Sequence, residues 1–501
     1  MLRRRATTLG LALLLGGVAA CSSAPLPNDE LAQGSELPSG TVVDPDTGQV
    51  VDAETGQVVD PVTGAPLTTG GAPTGPAGGG VPAAGGTAAP GAPAAGPAGA
   101  PAPGTATSGP VAAPARSTLF TAAEDRIGIT DTQITMCAHA ALTYGAAFNT
   151  STDDLNVFWS AINDAGGVYG RKVVVTYEND DYKPEKAVEA ATACKGRGIF
   201  LLLGGIGFDQ IPAVRDWAER NRMLYIHHTA TVNGTAGKRF SFAPLPTVER
   251  TGEAFAQLYL KKYKGKKIGI IKRDGVNWEP GVVAFKKLLG SAGEVVAETK
   301  VPQNKGNYTE DVLAMKNKGA EVVWIWENAL GATQIVKQIK AQNYKPNMML
   351  FPFNLTSQTL DEDSFGPTLD GVAMFTAYSK GDYSGSFASY ADDIKLFEQQ
   401  YAKYRPNVDL GGVGGDLLFL NWTAQKALYA QLMDCGKQCT RNRFVDVLES
   451  YRKQPTSSVC PIDFTGGNRR QGSDKLIFME TYRSPSGKAN WRNTQACVGR
   501  G

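Results

Sequence analysis

From Asp125 onward the apolar positions of the chain switch between two spacings. "DTQITMCAHA" reads as a short strand, and "TDDLNVFWSAINDAG" reads as a helix, because Leu155, Phe158, Trp159 and Ile162 recur at intervals of three and four residues. "KVVVTYEND" is then a strand, "KPEKAVEAATACKG" a helix, "IFLLLGG" a strand, "IPAVRDWAERN" a helix and "MLYIHHTA" a strand. Strands that alternate with helices and carry nearly unbroken apolar runs predict a parallel sheet covered on both faces. Between the first helix and its strand stands "INDAGGVYGRKVVV", where Gly166 and Gly167 are expected to end the helix and Gly170 to turn the chain into the valines.

The same alternation restarts after "FSFAPLPTVERTGEA". "KKIGIIKRDG", "GEVVAETKVP", "AEVVWIWEN" and "NMMLFPFN" are the expected strands, separated by helices at "GVVAFKKLLGSAG", "YTEDVLAMKNKG" and "ATQIVKQIKAQNY". One sheet holding all of these strands would be unusually wide, so the expected fold class is α/β with two Rossmann-like lobes. Two such lobes imply a cleft faced by the carboxyl ends of their strands.

Residues 22–116 show no periodicity that could build a core. They contain a tandem octapeptide, "VVDPDTGQ", "VVDAETGQ" and "VVDPVTGA", beginning at Val42, Val50 and Val58, followed by a tract rich in Ala, Gly and Pro. Each repeat has an Asp and a Thr-Gly suited to turns, and three short units cannot form a solenoid core; a spacer is the simple reading, an adhesive or metal-binding repeat the other. The tract cannot repay the entropy of ordering, so a flexible tether reaching on the order of 55 Å is expected. Ahead of it, "MLRRRATTLGLALLLGGVAAC" combines three arginines, a short apolar stretch and small residues, the features of an export signal. Val18-Ala19-Ala20-Cys21 resembles the bacterial lipobox, which implies lipidation of Cys21 and a mature chain beginning there; cleavage nearby without lipidation, or no cleavage, is the alternative. Two or more acyl chains would hold such a protein stably at a membrane.

Export changes how the cysteines are read. Of seven, Cys21 set aside, Cys137, Cys194, Cys435, Cys439, Cys460 and Cys497 remain, an even number that favours disulfides outside the cytosol. Sequence permits many pairings; we expect Cys435 with Cys439, Cys460 with Cys497, and Cys137 with Cys194. A zinc site is the competing reading, but Cys-x-x-x-Cys has no matching second pair and the chain has only three histidines, so no metal and no cofactor is expected. A formal net charge of +2 marks no nucleic-acid partner. Nor is there a Gly-x-Ser-x-Gly, a Walker lysine loop, a His-Glu-x-x-His or a dinucleotide fingerprint. His227 and His228 are adjacent on a strand and point to opposite faces, so at most one enters the cleft. A hydrolase using that cleft is the rival from the enzyme class, and we expect no enzyme.

"GITDTQITM", "LTYGAA", "INDAGGVYGRKVVVTYENDD", "KPEKAVEAA" and the long helix "DLLFLNWTAQKALYAQLMDCG" together resemble, in order and spacing, the type I extracytoplasmic solute-binding proteins, in particular the branched-chain amino acid (Leu/Ile/Val) binding group. The resemblance spans about Asp125 to the C-terminus. It implies two lobes joined by three crossovers, here near Pro244–Thr247, Ala377–Ser379 and Pro455–Ser458. The expected organisation is a signal peptide at 1–20, a tether at 21–116, a first lobe at 125–245 plus 378–456 and a second at 246–377 plus 457–501. It further implies a monomer that traps a small-molecule solute by hinge closure and serves an ABC permease and its ATPase; the same fold acting with a signalling partner is the alternative.

In this family the first lobe holds the ligand's carboxylate through hydroxyls and backbone N–H groups. The matching positions are "GGIGFD" and "HTAT", giving Gly207, Phe208, Thr229, Ala230 and Thr231, with only backbone contact expected at the first pair. The second lobe normally supplies an acidic side chain for the ligand's ammonium group. Phe353 falls at that position with Asn354 beside it, and Asn328 falls where an aromatic is common. Glu327 is the nearest carboxylate. An amino acid-like solute and an aromatic or apolar carboxylate therefore both stay open: the acidic residue is missing at its usual place, while Tyr144, Phe148, Phe353, Trp324 and Trp326 suit an aromatic or apolar body, although the two tryptophans share a strand face and suit the core equally.

Overall fold

The computed structural model describes residues 39–43, 50–52, 54, 55, 57, 117–144, 148–205, 207–227, 237–303, 305–350, 370–376, 388–452, 460–464, 470–472, 474–483 and 489–499. The chain divides into two compact units, 1–77 and 78–501. In the small unit β1 (Thr41–Val43) pairs antiparallel with β2 (Val50–Asp52), so the valines of the first two octapeptides lie opposite one another. The Asp52 carboxylate accepts from the Thr55 backbone N–H at 2.9 Å, the local turn that this residue type favours. A strand pair therefore stands where sequence suggested turns within a spacer.

In the large unit a first sheet is built from β3 (Gln133–Ala140), β6 (Lys172–Asn179), β7 (Leu201–Gly204), β8 (Tyr225–His227) and β9 (Ser241–Phe242) in the order β6-β3-β7-β8-β9, all parallel. A small hairpin, β4 (Thr143–Tyr144) with β5 (Phe148–Asn149), follows β3. The central strand β7 is buried at every position, whereas the edge strand β6 alternates buried and open positions. The expected helix after β3 is broken at Asn156 into Thr152–Leu155 and Val157–Asp164, where the Asn156 amide donates to the Val175 carbonyl of β6 at 2.9 Å. Phe158 meets Trp159 and Trp422 edge to face, seating this helix under the long helix Gly412–Cys435. At the glycine joint, Gly167 has φ +71° and its N–H closes onto the Ile162 carbonyl at 2.9 Å. A Cβ there would lie 2.0 Å from the Arg171 carbonyl oxygen, so only glycine fits.

The second sheet runs β11-β10-β12-β13-β14-β15-β16. Its strands are β10 (Lys267–Arg273), β11 (Glu294–Val301), β12 (Val322–Trp326), β13 (Asn347–Leu350), β14 (Ala373–Thr376), β15 (Leu476–Arg483) and β16 (Ala489–Val498). Pairing is parallel through β14 and antiparallel for β15 and β16. The helices Val248–Lys262, Glu279–Leu289, Thr309–Asn317 and Ala329–Ala341 accompany this sheet. Trp324 and Trp326, both fully buried, pack on each other and on Phe255, with Phe285 against Trp324. They belong to the core of the second lobe, not to a ligand surface.

The chain returns to the first lobe in the helices Ala388–Tyr404, Gly412–Cys435 and Arg441–Ser450. Tyr401 donates to the Asp154 carbonyl at 2.6 Å, Gln425 to the Leu155 carbonyl at 2.6 Å, and Arg441 to the Phe200 carbonyl at 2.9 Å. The first crossover passes Pro244, beside which Ala243 bridges in parallel to Gln471. The expected crossovers at Ala377–Ser379 and Pro455–Ser458 lie outside the described residues. Beyond the latter, Phe464 still packs on Phe242 of β9 at 5.4 Å, so residues assigned by sequence to the second lobe run first along the edge of the first sheet. Disulfides join Cys137 of β3 to Cys194, Cys435 to Cys439, and Cys460 to Cys497 of β16.

Candidate functional site

In a doubly wound sheet a crevice opens where neighbouring strands send their connections to opposite sides, at the strands' carboxyl ends. In the first lobe that point lies between β3 and β7. The side chains gathered there are polar and buried. His139, near the end of β3, has Nδ1 2.9 Å from Asp180 Oδ2 and Nε2 2.8 Å from the Tyr225 hydroxyl. The tautomer that satisfies both contacts donates from Nδ1 to the carboxylate and accepts the tyrosine proton at Nε2. Asp180 Oδ1 accepts from Gln210 Nε2 at 2.9 Å and from the Tyr182 backbone N–H at 2.9 Å. Burial pushes the Tyr225 hydroxyl well above its ordinary pKa, so it remains a neutral donor.

This network shapes the loop that follows β7. Gly207 has φ +149°, and a Cβ there would come within 2.2 Å of the Gln210 amide, so Gln210 can reach Asp180 only past a glycine. Phe208 and Asp209 are thereby projected toward the second lobe. Asp181 and Tyr182, with φ 49° and 60°, hold a conformation costly for side-chain-bearing residues. It turns the Tyr182 ring to the same crevice, 5.8 Å from the Arg273 guanidinium carbon.

The second lobe offers the corresponding ends of β10 and β12. Arg273, the last residue of β10, is only 2% exposed; its Nη2 donates to Asp209 Oδ2 of the first lobe at 2.7 Å, and Nη1 lies 3.6 Å from Glu327 Oε1. Trp278 Nε1 donates to the other Asp209 oxygen at 3.1 Å. Its ring lies 4.8 Å from Phe208 and 5.5 Å from the guanidinium carbon. Trp326 Nε1 donates to the Trp278 carbonyl at 2.7 Å and so ties this indole to the core. Among the described residues, the lobes thus meet here through the Arg273–Asp209 pair and the Trp278 indole, beside aromatic faces.

Glu327, immediately after β12, is fully buried. Its desolvation pushes the carboxyl up to about 7; Arg273 and the Asn328 N–H, which donates to Oε1 at 2.9 Å, pull in the opposite direction. The carboxylate that sequence reasoning considered for a ligand ammonium is therefore engaged with an arginine. Asn328 itself caps the helix Ala329–Ala341, its side-chain oxygen accepting from the Gly331 N–H at 3.0 Å. That oxygen thereby satisfies one of the N–H groups at the start of the helix.

Of the other expected site residues, Gly207 and Phe208 lie at the crevice, and Phe208 packs its ring on Trp278. Tyr144 and Phe148 face one another across the β4–β5 hairpin by backbone register; their side chains lie outside the described positions, as do Thr229, Ala230, Thr231, Phe353 and Asn354. His227 is fully buried at the end of β8, and His228 is outside the described residues. Among the described residues no cluster of His, Cys, Asp or Glu could hold a metal ion, and no helix is long and apolar enough to cross a membrane. Sequence reasoning missed His139, Asp180, Gln210, Tyr225, Arg273 and Trp278. The available signal was a polar residue closing an apolar strand, as in "MCAHA" and "IIKRDG".

The profile of the family described as Periplasmic binding protein matches residues 144–484. Leu/Ile/Val-binding protein homolog 3 of Brucella melitensis is 31% identical over 172 residues, 32% of this chain and 45% of that protein. BraC3, a Leu/Ile/Val-binding protein of Rhizobium johnstonii, is 30% identical over 168 residues, with the same 32% and 45% shares. The chain thus aligns with about half the length of these relatives. Among solved structures, a fatty acid ABC transporter substrate-binding protein from Thermomonospora curvata superposes with a TM-score of 0.60 at 18% identity, over 75% of this chain and 94% of its own. A solute binding protein of an R. palustris ABC transporter, in complex with 4-hydroxybenzoate, gives 0.60 at 15% identity over 74% and 98%. The match to more than half of the chain, and two α/β sheets facing a crevice, lead to one conclusion: this chain belongs to the periplasmic binding protein family and has its type I fold.

Proposed function

We propose that this protein is the extracytoplasmic solute-binding subunit of an ABC importer, anchored at the membrane through lipid on Cys21, with residues 21–116 as its tether. It captures a small amino acid-like or aromatic or apolar carboxylate by closing its lobes, and leaves the solute unaltered. The observation that carries this reading is the meeting of the lobes at the carboxyl ends of both sheets, through Asp209 and Phe208 on one side and Arg273 and Trp278 on the other. A cation beside aromatic faces suits an anion with an apolar body. Leu/Ile/Val-binding names and a neighbour in complex with 4-hydroxybenzoate support a solute of this kind. Gly207, Phe208, Thr229, Ala230, Thr231, Tyr144, Phe148, Asn328, Phe353 and Asn354 remain the lining we propose around that cluster.

Capture needs only differential affinity: a solute that binds the closed form more tightly shifts the hinge equilibrium by that difference. Small molecules carried through native purification, identified by mass spectrometry and added back, should raise the melting temperature. At a concentration about a hundredfold above Kd the stabilisation is about 2.7 kcal/mol. Turnover of an ester or amide that is lost in His228→Ala would replace capture by catalysis.

A further inference from the structure

Arg273 and Trp278 present two donors to one carboxylate. Arg273 Nη2 takes one oxygen at 2.7 Å and Trp278 Nε1 the other at 3.1 Å, and the carboxylate they hold belongs to Asp209, a side chain of the chain itself. The two donors come from the second lobe and the acceptor from the first. Arg273 and Trp278 thus hold a carboxylate across the crevice from the second lobe, with the buried Glu327 carboxyl beside Arg273 at 3.6 Å. Aromatic surface borders the pair: Phe208 packs on Trp278 at 4.8 Å between centroids, and the Tyr182 ring lies 5.8 Å from the guanidinium carbon.

The charge balance selects the guest. Arg273 is 2% exposed, and the Asp209 carboxylate is the countercharge it meets from the first lobe. A solute monoanion can take that role only by replacing Asp209. Its carboxylate is 19% exposed, on the loop held by Gly207 and Gln210, so it can turn to water when displaced. A neutral solute offers these donors no such exchange, and a dianion would bring a second negative charge against Glu327.

Resting on the solute-binding reading above, we propose that Arg273 and the Trp278 indole N–H form the carboxylate subsite for an aromatic monocarboxylate, and that Asp209 is its internal occupant, displaced when the solute binds. This differs from a carboxylate held by hydroxyls of the first lobe, because the anion site sits on the second lobe and is self-filled. Asp209 thereby sets the affinity: the solute must compete with a tethered carboxylate, which weakens its apparent binding.

The test titrates the purified full chain with benzoate, 4-hydroxybenzoate and 3-phenylpropionate, with benzyl alcohol as the uncharged counterpart, by calorimetry. The Trp278 indole N–H is followed by NMR on tryptophan-labelled protein and assigned with Trp278→Phe. Carboxylates should bind at least about tenfold more tightly than benzyl alcohol and shift the Trp278 signal; Asp209→Asn, which weakens the competitor, should tighten them by about tenfold. Arg273→Gln should abolish the preference for the anion; because removing a buried arginine risks the fold, Arg273→Lys, which keeps the charge but not the paired geometry, should weaken binding with a native melting curve. Benzyl alcohol binding as well as benzoate, or carboxylate affinities unchanged in Asp209→Asn, or no response from any of the three carboxylates in either protein, overturns the subsite. Those results leave solute capture standing if co-purified molecules still raise the melting temperature; a protein that no co-purified molecule stabilises sinks that reading separately.

Discussion

At the residue scale the informative groups are those that end the strands. Glu327 illustrates what burial does to one carboxyl. Held at about 7 against an ordinary 4.5, it binds its proton more tightly in the folded chain than in the unfolded one. Between those two values the folded state therefore carries the extra proton, and stability falls as pH rises through the window and levels off above it. A shift of that size is worth on the order of 3 kcal/mol. Arg273, Asp209 and the Asn328 N–H face the group, and the Tyr308 hydroxyl approaches the same turn at Gly331. Denaturant unfolding at pH 5 and pH 8 should show wild type losing more stability than Glu327→Gln over that interval; equal losses would contradict the assignment. None of this was legible in "WIWEN", where Glu327 read only as the nearest carboxylate. Periodicity reports which face a residue occupies, not which charge it meets from another lobe.

At the element scale, sequence pattern located most βα units because their physics is local. The unbroken apolar run of β12 and the glycine joint before β6 each carry their reason within a few residues. Gly167→Ala should destabilise the chain by more than the ordinary ~1 kcal/mol cost of ordering, because its Cβ would strike the Arg171 carbonyl; a melting temperature unchanged from wild type would contradict this. Asn328→Ala, by contrast, should cost about 1 kcal/mol through the lost cap of the helix Ala329–Ala341, measured by denaturant unfolding, and a loss near zero would contradict a stabilising cap. What sequence did not deliver were elements whose logic is non-local. β15 and β16 join the second sheet antiparallel from the far end of the chain, and β15 pairs with β14, about a hundred residues earlier, so no βα alternation announces them. The break at Asn156 was hidden too, since its cause is a carbonyl on β6.

At the scale of the whole molecule, two sheets with their carboxyl ends turned to one crevice explain why buried polar side chains such as His139, Asp180, His227 and Arg273 gather where strands end. The first-lobe network is fully internal, so it fixes the loop of Phe208 and Asp209 as a rigid jaw, and the second lobe fixes Trp278 through the Trp326 indole. Rigid jaws on a hinge are what capture by closure needs. Lys186 and Glu310, exposed at the starts of the helices Pro184–Gly196 and Thr309–Asn317, follow the carboxyl ends of β6 and β11 and so report on the opposite lips of the crevice. The most direct measurement is the distribution of distances between fluorophores placed at these two positions by unnatural amino acids, with and without a solute shown by calorimetry to bind. Capture by hinge closure requires the solute to move the population toward the shorter distance in proportion to occupancy; a saturating solute that leaves the distribution where it was would contradict it.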